Sequence, residues 1–175
     1  MNVFYTIIRI LTLPGSAMRF ALEQLVMRSD RIPVTKTEFF NSEATSHVEH
    51  ECPSLINKAY DVASAAFTTN LLLGIIASVT GMGLFFMAGV RTWWALLVLW
   101  LGFSMLCNLF PTRVDAANLV YRLSSEKKRR PIMRPMAKVF RFGAKLEETG
   151  LILITSTVFE CVLCCLVTLA ALILA

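Results

Sequence analysis

The chain has 175 residues, of which 56% are hydrophobic and only 17% charged. Soluble domains carry about 25% charged residues, so this composition argues against a separate water-facing domain and for one compact membrane unit. The formal net charge is +5, and nine of the seventeen Lys and Arg fall between Arg122 and Lys145. With no interleaved aromatics and no nucleic-acid-binding motif, that local excess concerns membrane topology and lipid headgroups, and nucleic acid is excluded as a partner.

Residues 1–27 open with an apolar run over 3–13 that carries Arg9 and is interrupted at Pro14-Gly15. Gly15-Ser16-Ala17 has the small residues of a signal cleavage site, but no basic residue precedes the apolar run. Residues 16–27 continue a helical pattern with Arg19 and Glu23 four apart, on one face and able to pair. The expectation is a retained, kinked or re-entrant membrane segment that keeps those two charges away from lipid.

Residues 28–61 are polar and of mixed charge, a loop outside the membrane with strand character over 32–37 and 38–40. His47-Val48-Glu49-His50-Glu51 is its densest set of potential ligands. On a helical turn His47 and His50 would meet, whereas on a strand His47 and Glu49 share a face. As a metal or proton-handling site the set needs a further partner from elsewhere. Otherwise it is a polar loop beside the membrane.

Residues 62–90 run for twenty-nine positions without a charge, and residues 92–110 for nineteen, bounded by Arg91 and Pro111. Nineteen helical residues reach roughly 28 Å, close to the hydrocarbon thickness of a bilayer. Trp93 and Trp94 stand at one end, where indole rings favour the headgroup boundary. Gly74 with Ser78, and Ala77 with Gly81, are small pairs four apart that admit a close helix neighbour. Asn70 must face protein, and the turn at 89–91 makes the two spans an antiparallel hairpin.

Residues 111–149 form a basic loop containing Lys127-Lys128-Arg129-Arg130, Pro131 and Pro135, and the prolines rule out one continuous helix. After Pro135, Met136, Val139, Phe140 and Leu146 recur at helical spacing with Lys138, Arg141 and Lys145 between them. That is a basic amphipathic helix suited to an anionic membrane surface, with Lys127, Lys128, Arg129, Arg130, Lys138 and Arg141 meeting headgroups. The positive-inside rule puts this loop on the cytoplasmic side of a bacterial inner membrane, or the equivalent side of an organelle membrane. Residues 28–61 then share its side and Arg91 lies opposite.

Residues 150–175 are a third apolar span, with Glu160 as the one charge. A carboxylate at that depth is costly unless paired or neutral, so Glu160 is expected to face the bundle and hydrogen-bond a neighbouring helix. Cys161-x-x-Cys164 has a redox or zinc spacing but no second pair nearby, and packing is the expected role of the five cysteines. The expected fold is all-α and integral to the membrane. It has three transmembrane helices (62–90, 92–110 and 150–175), a kinked or re-entrant N-terminal segment and a basic amphipathic surface helix.

Two stretches carry a resemblance. Leu13-Pro14-Gly15-Ser16-Ala17-Met18 and Asn108-Leu109-Phe110-Pro111-Thr112-Arg113-Val114-Asp115-Ala116, with residues 46–51 between them, are similar to segments of the intramembrane zinc metalloproteases of the site-2 protease type. They also resemble segments of the small zincin-like membrane families related to those proteases, in some of which residues 46–51 are similar to a strand between the two stretches. In those families a helix that begins Pro-Gly carries His-Glu-x-x-His, whose histidines bind zinc and whose Glu activates water. A later membrane helix ends in Asn-x-x-Pro…Asp, and its Asp is the third ligand. The likeness is scattered over residues 10–120 and implies a protease-like scaffold.

This chain departs from that pattern where the chemistry is done. Arg19-Phe20-Ala21-Leu22-Glu23 stands in place of His-Glu-x-x-His, and Arg19 puts a permanent cation where the metal would sit. An Arg19–Asp115 charge pair would then replace the zinc site. Thr112-x-x-Asp115 also reads as a capping box for a helix after Pro111.

The expectation is a non-catalytic membrane subunit or scaffold, a pseudoprotease without cofactor, partnered by lipids and other membrane subunits. Arg19, Glu23, His47, Glu49, His50, Asp115 and Glu160 are its vestigial polar residues. One alternative is a divergent zinc metallopeptidase with His47, His50 and Asp115 as ligands. Another is a small proton- or ion-conducting protein that uses Glu160 and Asn70.

Overall fold

The computed structural model describes residues 10–38, 47–87, 93–126 and 130–174. Within them the elements are α1 (Leu13–Asp30), β1 (Val34–Glu38), β2 (His47–His50), α2 (Ile56–Met82, continued by a π-helical turn Gly83–Met87), α3 (Trp93–Cys107), α4 (Arg113–Ser125), α5 (Met133–Glu148) and α6 (Ile152–Leu174).

Helix α1 carries Pro14 in its first turn, where the missing N–H costs nothing, and a turn at Thr12 separates it from the helical residues 10–11, so the apolar run is interrupted just ahead of Pro14-Gly15. It ends at Arg31, whose left-handed φ of 53° lets its N–H reach the last-turn carbonyls. One stripe is buried: Gly15, Arg19, Glu23 and Met27. A methyl group on Gly15 would overlap the Ser104 backbone, so only glycine lets α1 approach α3 this closely.

Helices α2 and α3 pack against each other through the small-residue stripe. Gly74, Ser78 and Gly81 are buried on α2, and Gly102 on α3 has no room for a side chain beside Ser78. Asn70 is fully buried, as expected for a polar group in an apolar helix.

Two helices, Ile56–Phe85 and Ile152–Ala170, are long and apolar enough to cross a membrane. The first spans 30 residues, roughly 45 Å, so its polar start extends beyond a hydrocarbon layer of about 30 Å. Helix α3 is a correction to the second expected span. Instead of covering residues 92–110 it is 15 residues long, roughly 22 Å. Asn108 ends it: its N–H donates to the Met105 carbonyl at 3.1 Å and its side-chain amide to the Ser104 carbonyl at 2.9 Å, just ahead of Pro111.

Most of the basic loop is helical. Thr112 caps α4, its hydroxyl accepting the Asp115 N–H at 3.2 Å, as the capping-box reading expects. Pro131 separates α4 from α5, and Pro135 sits in the tolerant first turn of α5. A core of Ala59, Ala63, Leu119, Leu123, Ala137 and Phe140 joins the start of α2 to α4 and α5. The Phe67 ring contacts those of Phe110 and Phe140 at 5.7 and 5.1 Å between centroids.

The strands β1 and β2 pair antiparallel, with an irregularity between Val34 and Lys36. Met27, Ile32, Val48 and Val62 form a second core beneath them. Asn118 reaches the Pro53 carbonyl and Arg130 reaches Asn57, so both polar segments lie at the same end of the apolar helices.

Candidate functional site

The polar groups gather where α1, β2, α4 and α5 meet. Arg19 is 1% exposed. Its Nε donates to Glu23 Oε1 at 2.9 Å, the pairing expected of residues four apart on one helix. Its Nη1 donates to Glu147 Oε1 at 2.6 Å, from the end of α5. The third nitrogen, Nη2, is buried and has no hydrogen-bond partner among the described residues. Glu23 accepts the Val48 N–H at 3.3 Å on its other oxygen, which ties the inner face of β2 to α1.

His50 shares that inner face with Val48, and its side chain is 5% exposed. Its Nε2 lies 3.0 Å from Asp115 Oδ1, and its Nδ1 lies 2.9 Å from the Glu51 carbonyl oxygen. As an imidazolium the ring donates from both nitrogens, to the Asp115 carboxyl and to the Glu51 carbonyl, whereas a neutral ring donates from only one. Burial of the ring opposes that charge. The hydrogen bond to Asp115, then the Glu51 carbonyl and the charges of Asp115 and Glu23, outweigh it, and His50 titrates above its ordinary value. The second Asp115 oxygen accepts from the Thr112 hydroxyl at 2.6 Å.

With His50 charged, two cations (Arg19, His50) face three carboxylates (Glu23, Asp115, Glu147). The expected Arg19–Asp115 pair is not formed among the described residues. The Arg19 guanidinium is oriented by Glu23 one turn along its own helix and by Glu147, while Asp115 is held by Thr112 and His50.

One turn earlier on α1 a neutral network begins. The Gly15 N–H donates to Ser104 Oγ at 2.8 Å, and Asn70 Nδ2 to the Asn108 carbonyl at 2.7 Å. Asn108 Nδ2 donates to the Thr12 carbonyl at 3.0 Å. The Pro14-Gly15 stretch and the Asn108…Asp115 stretch therefore meet in space, joined through Asn70.

Other expected site residues fall elsewhere. Glu49 points from the exposed face of the sheet, away from His50. His47 pairs with Glu38 along the strands, and its side chain lies outside the described part of the structure. Among the described residues no three His, Cys, Asp or Glu side chains gather so as to hold a metal ion. Glu160 is apart from this cluster, its Oε1 accepting from Ser78 Oγ at 2.8 Å. It lines a cavity of about 350 Å³ with Trp100, Phe103, Cys161 and Cys164.

Lys127, Lys128 and Arg129 lie outside the described residues. Arg130 is bound by Glu126 at 2.9 and 3.1 Å and by Asn57 Oδ1 at 2.7 Å. Lys138 and Arg141 are exposed on α5.

Sequence reasoning missed Glu147. Its signal was there: two adjacent acids, Glu147 and Glu148, close a basic helix at the end where the helix dipole disfavours negative charge. Each is compensated by an arginine, Arg19 and Arg113. Searched against known protein families, curated proteins and solved structures, the chain matches none of them.

Proposed function

We propose that this chain is a non-catalytic integral membrane subunit or scaffold, a degenerate relative of the site-2-type metalloproteases in which a buried charge cluster replaces the metal. The observation that carries this reading is Arg19. Its guanidinium is buried between Glu23 and Glu147 at the position where the resembling families place their first zinc-binding histidine. A fixed cation there repels a second cation, and Phe20 stands where the resemblance places the Glu that activates water. The contact between the Pro14-Gly15 and Asn108…Asp115 stretches supports the kinship, since those are the segments that carry it.

The bilayer reading rests on the two long apolar helices and on the far half of α6, whose apolar side chains are largely uncovered. The polar end, with its excess of basic residues, is assigned to the cytoplasmic side of a bacterial inner membrane or its organellar equivalent.

One observation favours the metallopeptidase alternative: His50 and Asp115, two of its three named ligands, are side by side. Purification in mild detergent separates the readings. A scaffold co-purifies with a stoichiometric membrane partner and turns over no peptide. An enzyme purifies alone, with one zinc per chain that is lost in His50→Ala.

A further inference from the structure

Helices α4 and α5 enclose a cleft of about 660 Å³ on the polar end of the molecule. Its floor is small, Ala116, Ala117 and Ala144, and its rim carries Arg113, Arg141 and Lys145. Tyr121, Ser124 and Thr149 add hydroxyl groups. Against three cations stands one carboxylate, Glu148.

We propose that this cleft binds the phosphate of one anionic phospholipid headgroup. Three arguments carry it. Arg141 and Lys145 are exposed and have no carboxylate partner among the described residues. Glu148 meets only Arg113, at 2.7 Å, and both side chains are largely exposed (75% and 52%), so this pair is weak and yields readily to a phosphate.

The second argument is position. Arg113 follows the end of α3 by a short turn, and Glu148 and Thr149 come shortly before α6, so the cleft lies beside the polar-end termini of both apolar helices, where the membrane reading puts the headgroups.

The third is the neighbouring face of α5. Val139, Phe142 and Leu146 each follow a basic residue, Lys138, Arg141 and Lys145, and Phe142 is 64% exposed. Leu146 and Phe142 line an apolar groove with Ile152 and Phe159 of α6. An apolar face turned about 100° from a basic one lets acyl chains lie beside a headgroup held in the cleft. The inference rests on the membrane reading but not on the pseudoprotease reading.

The test is native mass spectrometry of the full chain released from mixed micelles of phosphatidylcholine and phosphatidylglycerol. The wild type is expected to retain one phosphatidylglycerol in preference to phosphatidylcholine. Arg141→Gln/Lys145→Gln should weaken that retention at least about tenfold, since hydrogen bonds to charged groups are the strong ones. Arg134→Gln, on the same helix outside the cleft, should retain it fully. Both altered side chains are exposed, and Arg141→Lys with Lys145 intact should restore most of the retention.

Equal retention by wild type and double variant overturns the proposal. So does displacement of the lipid by inorganic phosphate at equimolar concentration, which would make the site one for free phosphate. Resistance of the protein to carbonate extraction from vesicles tests the membrane reading separately.

Discussion

His50 and Asp115 face each other at 3.0 Å, and the second His50 ring nitrogen meets the Glu51 carbonyl oxygen at 2.9 Å. Through this ring the strand β2, buried against α1, is fastened to the first turn of α4. The fastening is favoured by charge, because only an imidazolium donates from both ring nitrogens.

The stability of the protein should therefore fall as pH rises. The His50 pKa is raised in the folded chain, so its contribution is complete below the unfolded value of about 6.5 and is lost as pH passes upward through the folded value. Thermal unfolding in detergent at about pH 6 and about pH 9 reads this difference directly. In His50→Gln the component of the slope that belongs to His50 should vanish. An unchanged slope would show that the ring does not titrate in this range.

Arg19 should be among the costliest residues to remove. Arg19→Met leaves Glu23 and Glu147 facing each other without their cation, a loss of about 3–5 kcal/mol by comparison with other broken buried pairs. Adding Glu23→Gln and Glu147→Gln should recover most of that loss, since the neutral triad no longer needs a counter-ion. Chemical denaturation of the single and triple variants measures both effects. A single variant as stable as the wild type would mean that the cluster contributes nothing net.

Gly15→Ala should separate α1 from α3. The added methyl group meets Ser104 backbone, which cannot move without disturbing the Asn108 network. Overpacking of this kind costs about 1–3 kcal/mol. Unfolding of the variant checks the magnitude. Loss of protection of the Gly15 backbone N–H, which donates to Ser104 Oγ, by hydrogen exchange would locate it.

Glu160→Gln should leave the folded level intact, because an amide oxygen still accepts from the Ser78 hydroxyl. Expression and detergent stability check this. Proton flux into vesicles that is present in the wild type and abolished in the variant would instead assign Glu160 to a conduction path.

The legible parts of this molecule were those set by local spacing or by the cost of a polar group in an apolar setting. Arg19 and Glu23 pair because they are one turn apart, and Thr112 caps α4 because its hydroxyl is three residues from Asp115. Asn70 and Glu160 found partners because their isolation among apolar residues demanded them. What could not be read was choice among distant partners. Asp115 and Glu147 are both carboxylates far from Arg19 in sequence, and only the docking of α5 decides in favour of Glu147. The shortness of α3 was hidden for a related reason. Residues 108–110 are uncharged, but the Asn108 side chain spends its donors on the helix end and on Thr12.

The central claim is that a charge cluster occupies the place of a metal, and metal content tests it most directly. The full chain, purified in mild detergent, is incubated with excess zinc, desalted and measured for bound metal against protein. The account predicts far less than one zinc per chain, unchanged by His50→Ala. One zinc per chain, lost in His50→Ala and in Asp115→Asn, would contradict it.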